Sequence, residues 1–284
     1  MNIFINGRPA DITLDTEKNL GDVLSGIEQW ISLSGNRIRA ICVNGEDLGD
    51  TLSEAFKKDV REINKLDIGV SSWRELAAEA LLDLYDTCIS YRDADFGERS
   101  GFAEAWEASA AARFLASDIR DLYALAGRTF LGEGLSAQDL AILTEERLGE
   151  FADPCGEING AETLVKAIAG RMEELPLDIQ TGKDARAAET IQHFSRIGEK
   201  LFRIFTIFKS EGLSSDSFVI EGVPARLFME EFNAVLGELS AAYKNQDTIL
   251  VGDLAEYELA PRLLNFFTAL KSFSGSASPV VPIQ

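Results

Sequence analysis

The chain has 284 residues, 46% of them apolar, and sets 27 Lys and Arg against 47 Asp and Glu for a formal charge of -20. That length and apolar content suffice for two domains with cores of their own. The charge argues against nucleic acid or an anionic membrane as partner and favours a basic protein surface.

Cys42, Cys88 and Cys155 are widely spaced and form no C-x-x-C pair for zinc or an iron–sulfur cluster, so a reducing cytoplasm fits best. The opening MNIFINGRPADITLD lacks a basic region followed by a sustained apolar run. No later stretch reaches the ~18 unbroken apolar residues of a spanning helix. Neither secretion nor membrane insertion is expected.

From the start of the chain, Asn2 to Asn6 is short and apolar, Asn6-Gly7 supplies a turn, and Ala10, Ile12 and Leu14 alternate with Asp11 and Thr13. This predicts a β-hairpin whose turn exceeds two residues, because Arg8-Pro9 follows and Pro9 cannot donate to a ladder. Asn19 is placed as a helix cap with Asp22 favourably disposed to the helix dipole. Leu20, Val23, Leu24, Ile27 and Ile31 then form a helical stripe to about Leu33. Ile38 to Val43 predicts a strand, Asn44-Gly45 a turn, residues 53–57 a helical turn, and the alternation of Leu66, Ile68 and Val70 a further strand.

This order of hairpin, helix, strand, short connection and strand, carried by FINGRPADITL, LGDVLSGIEQWI, IRAICVNGEDL and INKLDIGV, resembles the β-grasp (ubiquitin-like) fold over about a quarter of the chain. The resemblance implies a small sheet domain and leaves function open. A protein modifier or sulfur carrier would need a free Gly-Gly carboxyl end, whereas Gly69-Val70-Ser71-Ser72-Trp73 continues into a helix. A ferredoxin would need clustered cysteines, and this segment holds Cys42 alone. A docking module, or a domain packed on its C-terminal neighbour, remains.

From Trp73 the period is helical, and most of the acidic excess lies beyond it. Trp73, Ala77, Leu81, Leu84, Cys88 and Tyr91 form one stripe, with Ser71 or Ser72 as cap. One long alanine-rich helix is predicted from about Gly101 to Leu131, and another opening at Ser136 and Asp139 and running through Leu148. Asp153-Pro154-Cys155-Gly156 is a breaker, read as a long inter-helix loop in preference to a hinge. Glu162 to Leu175 is helical. Ala185 to Ser210 is the central helix, with Ile191, Phe194, Gly198, Leu201, Phe205 and Phe208 on one face and Phe202, Ile204 and Ile207 widening it.

Phe218 to Ile220 is a short extended segment or an edge strand, and Pro224 suits the first turn of a helix whose face is Leu227, Glu231 or Phe232, Val235, Leu239 and Tyr243. The last helix runs from near Asp247 to Phe273 with Leu250, Leu254, Tyr257, Leu264, Phe267 and Leu270 inward, kinked or divided in two at Pro261. Ser274 to Gln284 reads as a flexible tail. The expected organisation is α+β: a β-grasp-like domain over 1–72, an acidic all-α bundle over 73–273, and the tail over 274–284.

Chemistry is sparse. His193 is the single histidine, which rules out paired-imidazole sites, and Glu189 one turn earlier is its expected surface partner. No phosphate loop, dinucleotide fingerprint or nucleophile elbow occurs. Carboxylates are the abundant material: Asp253, Glu256 and Glu258 near Pro261, with Glu230 and Glu231 able to face them and Arg262 beside them. Held close, they would suit acid–base or divalent-metal chemistry; pointing to solvent, they would do neither. The reading favoured is a non-enzymatic cytoplasmic adaptor or scaffold, chaperone-like in general character, without cofactor. Its partner is another protein, basic or presenting an amphipathic helix. A carboxylate enzyme and a homo-oligomeric subunit joined through the last helix are the alternatives.

Overall fold

The computed structural model describes residues 1–14, 16–32, 35–49, 55–214 and 217–276. It is α+β, a mixed five-stranded sheet followed by a larger helical part. Its contacts divide the chain into one unit of Met1–Glu145 with Ser210–Gly212 and a second of Glu146–Lys209 with Leu213–Gln284. The division falls within a helix, and the first unit holds the sheet together with several helices.

In the first unit, β1 (Asn2–Ile5) and β2 (Arg8–Pro9) are joined by Asn6 and Gly7 with φ of 50° and 75°. This is a two-residue hairpin turn, shorter than the sequence predicts. Pro9 is tolerated because it lies on the edge strand, opposite Phe4, between the Arg8–Ile5 pair and the Ala10 N–H that donates to the Ile3 carbonyl. At that position a strand's N–H faces outward, so the missing donor breaks nothing. The ladder stops there: the second strand does not run on through Leu14.

Helix α1 (Leu20–Ser32) starts where expected. Asn19 Oδ1 accepts from the Asp22 N–H at 3.0 Å, and Asp22 Oδ2 accepts from the Lys18 N–H at 2.9 Å. Strand β3 (Asn36–Val43) turns at Asn44-Gly45 into β4 (Glu46–Asp47), and β5 (Lys65–Ser72) completes the sheet in the order β2-β1-β5-β3-β4. The β1–β5 pair is parallel, the other pairs antiparallel. Two turn asparagines pin β5. Asn6 pairs its side chain with the Val70 N–H and carbonyl at 2.8 and 2.9 Å, and Asn44 Oδ1 accepts from the Asn64 and Lys65 N–H groups. The predicted stripe of α1, Leu20, Val23, Leu24, Ile27 and Ile31, is buried with Ile3, Ile41, Val43, Leu66 and Ile68 of the sheet. The helical turn expected over 53–57 lies in part outside the described residues.

Strand β5 passes without a linker into α2 (Trp73–Asp93), where Ser72 and Glu75 form a reciprocal capping box. The single long helix expected over 101–131 is three: α3 (Phe102–Ala108), α4 (Ala110–Asp118) and α5 (Arg120–Phe130). Ser109 accounts for the first break, since it leaves the helical region with ψ of 155° and caps the Ala112 N–H. A serine that caps competes with one that continues a helix. Ile119, at φ -135° and ψ 63°, makes the second break. Tyr91, Phe102, Trp106 and Phe130 cluster in this part of the unit, with Tyr91–Phe102 and Trp106–Phe130 edge-on and Tyr91–Phe130 tilted. Helix α6 (Ala137–Ala152) follows, four residues longer at its end than predicted.

The loop expected at 153–156 is a helix start. Asp153 accepts from the Gly156 N–H and Pro154 opens α7 (Pro154–Glu173), so cap and proline act together in place of a linker. Helix α8 (Leu175–Gln180) is short, and α9 (Asp184–Ser210) is the predicted central helix, with Phe194, Gly198, Leu201, Ile204, Phe205, Ile207 and Phe208 buried. Its rings meet those of the following elements: Phe194 and Phe202 contact Phe232, Phe205 contacts Phe218 and Phe266, and Phe208 contacts Phe273.

A two-stranded hairpin, β6 (Val219–Ile220) and β7 (Val223–Pro224), leads into α10 (Ala225–Lys244), with Pro224 at the cap instead of inside the first turn. The face of α10 is corrected: Phe228, Phe232, Leu239 and Ala242 are buried, while Leu227 and Tyr243 are exposed. The last helical stretch comprises α11 (Thr248–Asp253), a π-helical turn (Leu254–Leu259) and α12 (Ala260–Ser276). Pro261 explains the widened turn: its ring crowds the carbonyl four residues back, and a π turn absorbs the misfit within a continuous helix. Leu254, Phe267 and Leu270 point inward as predicted; Leu250 and Tyr257 are exposed. Residues 274–276 belong to α12, and the rest of the predicted tail lies outside the described residues.

Candidate functional site

The five candidate carboxylates sit in the second unit, and of them Glu231 and Glu258 meet at one guanidinium, that of Arg262. Glu230 pairs with Arg226 one turn earlier on α10 at 2.9 Å, both more than half exposed. Arg262 pairs with Glu258 on its own helix and stands 4.0 Å from Glu231. Asp253 is exposed. Glu256 accepts a hydrogen bond from Tyr257, which holds that phenol above its usual range. Each acid is thus solvated or ion-paired at the surface, and no two of them share an enclosed site.

Other chemistry is similarly placed. Among the described residues no group of three His, Cys, Asp or Glu could hold a metal ion. Glu189 pairs with Arg171 at 3.3 Å, not with His193. Burial pushes the Cys88 thiol up to about 12, far from a reactive thiolate. A cleft of about 520 Å³ between β6 and α12 is lined by Phe218, Val219, Glu221, Asn265, Thr268, Ala269, Ser272 and Phe273. Among those lining residues Glu221 is the one charged group, too little for acid–base work.

The concavity with a defined recognition chemistry is in the first unit. After Pro9 the chain passes alongside α1, and residues 10–14 and Glu17 face Val23, Gly26, Ile27 and Trp30 across a groove of about 490 Å³. Ala10, Ile12 and Leu14 are half-buried and pack on the core beneath, while Asp11 and Thr13 are exposed. This is the two-residue alternation of an extended chain. Beyond the Ala10 N–H, the main chain of residues 11–14 makes no hydrogen bond to any described residue. Val23 and Ile27 are 2% and 3% exposed and form the floor; Trp30, 59% exposed, forms a wall. Gly26 lies between them, and a Cβ there would meet nothing within 4 Å. Among the described residues, the charged groups lining the groove are Asp11 and Glu17.

Sequence reasoning missed this groove because it assigned Ala10 to Leu14 to a paired strand. The available signal was Pro9 itself, which ends a ladder, together with Gly26 and Trp30 at i, i+4 on an otherwise regular helix.

Comparison with known proteins matches two segments of the chain. Residues 1–72 match the family model of the TP0873 N-terminal domain, and residues 157–268 match a domain of unknown function, DUF8042. An uncharacterized protein of Treponema pallidum (strain Nichols) is 23% identical over 261 residues, covering 92% of this chain and 92% of its own length. No solved structure matches. No helix among the described residues is long and apolar enough to cross a membrane.

Proposed function

We propose that the chain is a cytoplasmic, non-enzymatic adaptor that works through protein–protein contacts, with residues 1–72 a β-grasp docking module ahead of an acidic helical body. The sheet order β2-β1-β5-β3-β4, its parallel β1–β5 pair and the single helix packed on one face support the β-grasp reading. The family match over 1–72 supports treating that segment as a module, and three free thiols suit the cytoplasm.

The observation that carries the docking role is the groove along α1, where apolar side chains and unengaged main chain lie side by side at the sheet edge. Concave apolar surface with a few convergent polar groups is the usual form of a recognition site. The carboxylate-enzyme alternative has the solvated and surface-paired acids against it. The oligomer alternative has only part of the last helix's stripe to use, since Leu254, Phe267 and Leu270 are buried in their own core while Leu250 and Tyr257 are exposed.

Affinity capture from an extract of the source organism tests the reading, comparing the wild-type chain with Trp30→Ala. One stoichiometric protein held by the wild type and lost by the variant is expected. Equal retention by both, or a chain that captures nothing, would sink it.

A further inference from the structure

We infer that the occupant of the α1 groove is an extended apolar segment carrying basic residues, which adds to residues 11–14 as a strand. This rests on the docking role proposed above and specifies its ligand.

The backbone argues for a strand. An incoming helix has satisfied its own N–H and C=O groups, whereas an extended segment supplies the partners that residues 11–14 lack among the described residues. Pro9 has no N–H, so pairing begins after it. At ~3.3 Å per residue, four paired positions span about 13 Å, a short peptide's length.

The side chains argue for apolar alternation. Ile12 and Leu14 pack on the core at every second residue while Asp11 and Thr13 lie exposed, so an added strand in the same alternation places every second side chain over α1. Gly26 leaves room for one of them, with open space where its Cβ would be, and Trp30 stands exposed beside it. Glycine within a helix weakens it; here its benefit is that room.

Charge fixes the sign. Among the described residues, Asp11 and Glu17 are the charged ones of the lining, in a chain of net charge -20. Lys or Arg flanking the apolar stretch complements them, and acidic flanks are repelled. The same charge opposes a second copy of this chain as occupant.

The experiment uses the full chain and fluorescently labelled nine-residue peptides alternating Val and Thr, one set flanked by Lys and one by Glu, read by anisotropy at low salt. The Lys-flanked peptide is expected to bind at least about tenfold more tightly than its Glu-flanked counterpart. Asp11→Lys, at an exposed position, should erase that preference. Gly26→Leu should weaken binding by at least about tenfold without lowering the melting temperature, because leucine is the better helix former. Equal binding of the two peptides, or failure of both to bind, overturns the basic-strand assignment. If the captured native protein is still lost in Trp30→Ala, the docking role survives that failure. Concentration-dependent dimerisation of the wild type that Gly26→Leu abolishes would make the occupant a second copy and overturn the inference.

Discussion

Trp73 Nε1 donates to Asp118 Oδ1 at 2.9 Å across a separation of 45 residues. Arg37 of β3 completes a two-point ion pair with the same carboxylate at 2.8 and 3.0 Å, and Ser117 donates to it as well. One acid therefore ties the sheet, the start of α2 and the end of α4. Burial pushes its pKa up, but the hydrogen bonds from Arg37, Ser117 and Trp73 outweigh this and hold it below the usual carboxylate range.

Asp118→Asn should cost about 1.5–3 kcal/mol at pH 7, the range for hydrogen bonds to a charged group. A carboxyl with a lowered folded pKa stabilises fully above its unfolded value and loses that contribution as pH falls through the folded one. Urea denaturation should show the gap between wild type and variant closing as pH drops below about 4. A gap that widens in acid would contradict the arrangement.

The pair Arg203–Glu150 makes a different prediction. Glu150 is fully buried, and Arg203 approaches it with Nε at 2.8 Å and Nη2 at 2.5 Å. Removing one partner strands a buried charge, so Glu150→Ala or Arg203→Ala should lose about 3–5 kcal/mol. The double change to Leu and Met should recover most of it, measured as the coupling in a double-mutant cycle.

Cys88 is buried, with its thiol raised to about 12, whereas Cys42 and Cys155 are partly accessible. A thiol-specific reagent at pH 8 should modify at most two cysteines of the native chain, the third reacting only in denaturant. Rapid modification of Cys88 in the folded protein would show the α2 core to be open.

Gly26 occupies an exposed helix-interior position with free space beyond it. Gly26→Ala should stabilise the chain by roughly 0.5–1 kcal/mol and raise the melting temperature. No gain would mean that the glycine relieves strain instead of leaving room in the groove.

How much of this could be read in advance depended on how local the cause was. The cap at Asn19, the stripe from Leu20 to Ile31 and the broad face of α9 follow from neighbours three or four residues apart, and the structure has them as read. Period alone could not choose between adjacent apolar stripes, so Leu227, Tyr243, Leu250 and Tyr257 were placed inward and lie outward. Ser109 and Asp153 were misread because a capping residue acts through backbone geometry that composition does not show. The groove was least legible. It depends on a ladder that stops at Pro9, on sheet order set by pairing between distant segments, and on a glycine whose role is the space beside it.

The most direct measurement is amide hydrogen exchange of residues 11–14 in the full chain, with and without saturating Lys-flanked peptide. Strand addition predicts fast exchange when free and marked slowing at alternate amides when bound, absent in Gly26→Leu. Bound peptide with these amides still exchanging fast would place recognition elsewhere and contradict the account.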